Sequence, residues 1–149
     1  MASQRLEEIG TVAESAPAQG RRWPLWVSIV VLVATAAIHI FVGTPETLAP
    51  VAAAGLAPEV GLLMVALWHL TSVLLVLLPV ALWWVAREAT TASRPLLAFV
   101  WLICLAFVVI MLGLDLASGA LITPLVQWTL FAPAVLLLPL TKLRPANTG

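Results

Sequence analysis

The chain has 149 residues, 62% of them hydrophobic and 9% charged, with seven basic and seven acidic residues and a formal net charge of zero. A soluble domain of about 150 residues leaves roughly 30% of its unfolded surface facing water, so this much apolar area excludes an ordinary water-soluble fold and points to lipid. The balance gives no basic excess for a nucleic-acid partner, and a single cysteine, Cys104, excludes an internal disulfide framework or a cysteine-rich metal site.

Residues 1–22 carry three glutamates, three arginines and little that is apolar, a composition that predicts a disordered cytoplasmic tail. From Trp23 to about Val42 the chain is almost continuously apolar. At about 1.5 Å per residue this run crosses about 30 Å of hydrocarbon, which makes it the first spanning helix. Arg21-Arg22, the apolar run and then 51–54 have the outline of a signal peptide with a cleavage site. A signal h-region of about 7–15 residues is shorter than this run, however, and His39 is unusual in one, so the segment reads as a retained span.

Residues 43–58 contain three prolines, two glycines and Glu46, which predicts an external loop with at most a short interfacial turn. The second span runs from about 60 to 86, with Pro79 as the expected kink. Residues 87–94 form a short polar connection, and Pro95 opens the third span, 95–114, where a first turn tolerates it. The connection 115–119 is so short that the fourth span, 120–140, must pack antiparallel to the third. Pro124 can be absorbed in its opening turn, whereas Pro133 removes a donor in mid-helix. A short tail, 142–149, follows. The fold class expected is all-α, a four-helix transmembrane bundle over 23–141, antiparallel in up-down-up-down order. Cys104 reads as a small packing residue within the third span.

Orientation follows from the basic residues, which are retained in the cytoplasm near membrane ends. Arg5, Arg21 and Arg22 precede the first span, Arg87 and Arg94 lie between the second and third, and Lys142 and Arg144 follow the fourth. The opposite loops carry Glu46, Glu59 and Asp115 instead. Both termini are therefore expected in the cytoplasm of a multi-pass plasma (inner) membrane protein, with Trp23, Trp26, Trp83 and Trp84 at the inner boundary.

Polar groups within a span are candidate sites because they are costly there. His39 lies roughly 6 Å and His69 roughly 14 Å below the outer boundary at the helical rise. Gln127 sits at a depth similar to His69, with Thr123 one turn before it, while Thr35 pairs with His39 and Ser72 with His69 at helical spacing. The inner half has almost nothing comparable. The pattern suggests a pocket in the outer half, bounded by spans one, two and four, with Glu46, Glu59 and Asp115 at its mouth. The purely structural alternative is that these groups hold the helices together by hydrogen bonds worth about 0.6 kcal/mol each, His69 and Gln127 satisfying one another and Asp115 capping a loop.

The run His39-Ile-Phe-Val-Gly43-Thr-Pro-Glu46, Pro50 shortly after it, and Trp68-His69-Leu-Thr71 in the second span resemble a group of uncharacterised small four-helix bacterial integral membrane proteins. Those proteins show a histidine, a glycine and an acidic residue leaving helix one and a Trp-His pair in helix two. The resemblance covers the first half of the chain. It implies a four-helix membrane fold, directs attention to His39, Glu46 and His69, and implies no reaction.

The function expected is that of a non-enzymatic accessory subunit or binding protein, with His39, Glu46, His69 and Gln127 shaping the site. Its partners are the lipid bilayer, a second copy or a larger membrane complex, and a quinone or other apolar ligand needing only a greasy cleft and one or two donors. The alternative is a membrane-embedded redox or metal-dependent protein using His39 and His69 as ligands to a metal or haem. No His-x-x-x-His pair supports a helical metal site, and the two histidines differ in depth by about 8 Å, awkward for axial ligands of one haem. Four helices without an inverted repeat leave little room for transport by one copy, and Ser72 near His69 is no more than helical packing gives.

Overall fold

The computed structural model describes residues 22–119 and 127–145. The expected tail over 1–22, apart from Arg22, together with Thr123, Pro124 and the end of the C-terminal tail, lies outside the described residues. The fold is all-α. Helix α1 (Trp23–Ala37) passes through a π turn (Ile38–Gly43) into α2 (Thr44–Ala53); α3 (Pro58–Glu88), α4 (Arg94–Ala117) and α5 (Trp128–Leu137) follow, with short 3-10 turns at Thr91–Ser93 and Leu138–Leu140. Three helical runs, Trp23–Ala53, Pro58–Glu88 and Thr91–Ala117, are long and apolar enough to cross a membrane. The fourth, Trp128–Leu140, is shorter, and the residues that would lengthen it lie outside those described.

The chain after Val42 departs from the expected loop. Pro45 stands at the start of α2, where its missing N–H is tolerated, and Ala49, Ala52 and Ala53 favour helix beyond it. In an unbroken α-helix its ring would also clash with the carbonyl of Phe41, one turn earlier. The π turn widens the helix at that place and lets it continue, so the first run reaches Ala53 instead of stopping near the membrane boundary. Pro79 and Pro133 lie inside α3 and α5, as their positions in the sequence require.

Side-chain contacts fix the relative directions of the helices. Trp101 Nε1 donates to the Val135 carbonyl at 2.9 Å, and Phe107 stacks on Phe131 at 4.7 Å, so α4 and α5 run antiparallel. Thr35 faces the Leu130 carbonyl at 3.5 Å, while His39 meets Trp68 and Ile29 shares a groove with Trp83, which sets α1 antiparallel to α3. At one end the Arg144 amide donates to the Ala89 carbonyl and the Thr91 amide to the Arg144 carbonyl. This bridge ties the C-terminal segment to the α3–α4 connection and gathers Arg87, Arg94, Lys142 and Arg144 there. Trp23, Trp26, Trp83 and Trp84 stand exposed toward that end.

The packed core is confined to the same half. Leu25 and Leu32 of α1, Leu75, Leu78, Leu82 and Val85 of α3, Val100 and Cys104 of α4, and Phe131 and Ala134 of α5 are buried together. Cys104 is a core residue, in line with its sequence reading. From Pro58 to Leu74, by contrast, no residue of α3 is buried. The half of the molecule that holds His39 is the open half.

The end of α3 is held by a carboxylate. Ala89 adopts a left-handed conformation (φ 49°) that stops the helix, and Glu88 accepts hydrogen bonds from Trp84 Nε1 at 3.0 Å and Ser93 Oγ at 2.7 Å. Ser93 is buried, so removing its acceptor strands a hydroxyl. Glu88→Ala is expected to destabilise the protein by about 1–3 kcal/mol in thermal unfolding in detergent, with Ser93→Ala adding little in that background. Equal and additive losses would show that the two side chains act separately.

Candidate functional site

The site is built on the π turn. On an α-helix, residues four apart share a face and a fifth is displaced by about 140°. The i→i+5 bonding of the π turn brings the fifth residue round, so His39, Gly43 and Thr44 all address one side chain of α3, Trp68. The imidazole of His39 stacks on the indole with centroids 4.0 Å apart and planes at 15°. Thr44 Oγ1 accepts a hydrogen bond from Trp68 Nε1 at 3.0 Å. A Cβ at Gly43 would stand 3.1 Å from two carbons of the same ring, so the absence of a side chain is what admits Trp68.

Two buried ring nitrogens in this half have no hydrogen-bond partner among the described residues. His39 Nε2 is buried and makes no hydrogen bond among the described residues, although the Trp68 backbone is a polar neighbour of the ring. Trp128 Nε1 is likewise buried without a hydrogen bond. The register that sets Thr35 against Leu130 carries Trp128 to a depth similar to that of His39. An unmet hydrogen-bonding group in an apolar setting costs about 1–3 kcal/mol, which an incoming acceptor would recover.

The hydroxyls do something plainer. Ser28, Thr35, Thr71 and Ser72 each donate to the carbonyl four residues earlier on their own helix, at 2.8 to 3.0 Å. They are satisfied within the helix, and for them the structural reading suffices.

The other expected site residues are not gathered into one interior pocket. His69 is exposed: its neighbour Trp68 faces the π turn, and the next residue of a helix points about 100° away. Glu46 is exposed in the first turn of α2, Glu59 in the first turn of α3, and Gln127 just before α5. His69 and Gln127 therefore do not satisfy one another in a shared interior. Asp115 corrects a further expectation. It lies within α4 rather than in a loop, fully buried, and the Ser118 hydroxyl donates to its backbone carbonyl at 2.8 Å. Among the described residues no three of His, Cys, Asp and Glu come together as a metal-binding group.

Comparison with family models, curated proteins and solved structures found no match. Function rests on the geometry alone.

Thr44 is the contributor that sequence reasoning did not single out, and Gly43 entered it only within the stretch that carries the resemblance. Their signal was Thr44-Pro45 following an apolar run, which reads as a helix end. It becomes a site only once the helix is seen to continue through a widened turn. The indole nitrogen of Trp128 stands out only when its surroundings are seen.

Proposed function

We propose that this is a four-pass protein of the bacterial inner membrane, with both termini cytoplasmic, that acts as a non-enzymatic binding protein or accessory subunit. Its site lies in the extracytoplasmic half, at His39 and Trp68. The observation that carries the reading is the His39–Trp68 stack on the π turn, with Nε2 buried and unmet, in a half of the bundle where α3 has no buried residue. π turns recur at functional sites because they spend regular helix geometry on placing a side chain. The arrangement suits an apolar molecule with one hydrogen-bonding oxygen, of which a quinone is an example, received between His39 and the Trp128 nitrogen. Exposed Glu46, His69 and Gln127 would form its surround. The gathering of Arg87, Arg94, Lys142 and Arg144 at the opposite end supports the orientation.

Titration of the purified protein with a short-tail benzoquinone tests this. Saturable quenching of tryptophan fluorescence is expected, with His39→Ala weakening the affinity about five- to tenfold, as the loss of one hydrogen bond in a lipid-like medium implies. Quenching that rises linearly, or an affinity indifferent to His39→Ala, would refute the quinone site. A Soret band or stoichiometric metal lost in both His39→Ala and His69→Ala would replace the whole reading with a redox or metal protein.

A further inference from the structure

A second surface, remote from His39 and Trp68 in character, lies between α1 and α3. It is an open groove of about 540 Å³ whose walls include Ile29, Val33 and Ile40 on one side and Val76, Val80 and Trp83 on the other. The walls are aliphatic until Trp83. There the character changes: the Arg87 guanidinium lies 4.7 Å from the centre of the Trp83 ring, and Arg87 is exposed. Arg22, at the start of α1, lies toward the same end by the antiparallel register.

Dimensions limit the occupant. From Ile29 to Ile40 the groove runs about 16 Å at the helical rise and opens at the level of Trp83. A hydrocarbon chain lying along the helices suits a groove of this length and lining. At its boundary end such a chain meets a cation held over an interfacial indole, a pairing suited to an anionic headgroup. We infer that the α1–α3 groove with Arg87 is a binding site for one anionic phospholipid of the leaflet on the Arg87 side, an acyl chain along Val33 and Val80 and the phosphate at Arg87.

The test is native mass spectrometry of the full chain, taken from vesicles of equal parts phosphatidylglycerol and phosphatidylcholine. Retention of phosphatidylglycerol over phosphatidylcholine by about fivefold is expected, the preference that one arginine near a membrane surface supplies. Arg87→Gln should abolish the preference. Val33→Phe should reduce retention of both lipids by obstructing the chain. Both residues are exposed, so neither change removes core packing, and circular dichroism checks the fold. Equal retention of the two lipids, retention of neither, a lipid-free dimer in their place, or retention unchanged in either variant would overturn the inference.

Discussion

A cysteine introduced by Glu46→Cys or Ser118→Cys is expected to react with a membrane-impermeant maleimide in intact cells, and one introduced by Ala92→Cys only after lysis. The effect is all or none, because a charged reagent crosses hydrocarbon too slowly to confuse the two sides. Ala92 is the better inner probe than its neighbour Thr91. It is exposed, whereas Thr91 is half-buried and its amide donates to the Arg144 carbonyl, so a change there would disturb the bridge between the C-terminal segment and the α3–α4 connection. Cys104 gives no background, being fully buried in the core. Labelling of Ala92→Cys in intact cells would reverse the orientation proposed from the basic residues. Labelling of Glu46→Cys from one side and Ser118→Cys from the other would do more, since it would remove one of the four proposed crossings.

Gly43→Val is expected to be the most damaging single change at the candidate site. The glycine stands where a Cβ would meet Trp68 at 3.1 Å, and the indole cannot simply slide away, because its nitrogen is held by Thr44 and its face by His39. Overpacking of this kind costs about 1–3 kcal/mol, and it acts with the weaker helix propensity of a β-branched residue. Gly43→Ala should behave differently. Its methyl group needs a shift of only a few tenths of an ångström, and replacing a helical glycine by alanine returns about 1 kcal/mol. Near-neutral stability for alanine and a loss of several degrees for valine are the outcomes expected in thermal unfolding in detergent. Trp68→Leu should relieve most of the loss in the valine background, because the ring atoms that clash are then gone. Equal stability of the alanine and valine variants would mean that Trp68 does not pack on Gly43.

These two experiments address different levels of what the chain encodes. Hydropathy alone identified a membrane protein, since apolar runs such as Trp23–Val42 have no soluble solution at this size. It also located the second and third helices within a few residues, because in lipid every backbone polar group must be met within the segment and a helix does this locally. That His39 is a costly group was likewise legible, as a titratable side chain in a span is costly wherever it points.

What the sequence could not convey was which costly groups share a neighbourhood. His69 follows Trp68 directly, yet one faces the π turn and the other is exposed, a distinction set by helix rotation rather than by order along the chain. Asp115 read as a loop residue and proved to be a buried helical one. Thr44-Pro45 read as the end of a helix, and tertiary structure carried the helix onward through a widened turn, where the proline ring loses its clash and Trp68 gains a glycine to lie against. The sequence by itself determined that the chain carries helices apolar enough for lipid and where the second and third of them run, because those depend on local composition. Only the tertiary structure decided that the core fills one half of the bundle and that the other half presents His39, since both depend on contacts between residues far apart in the chain.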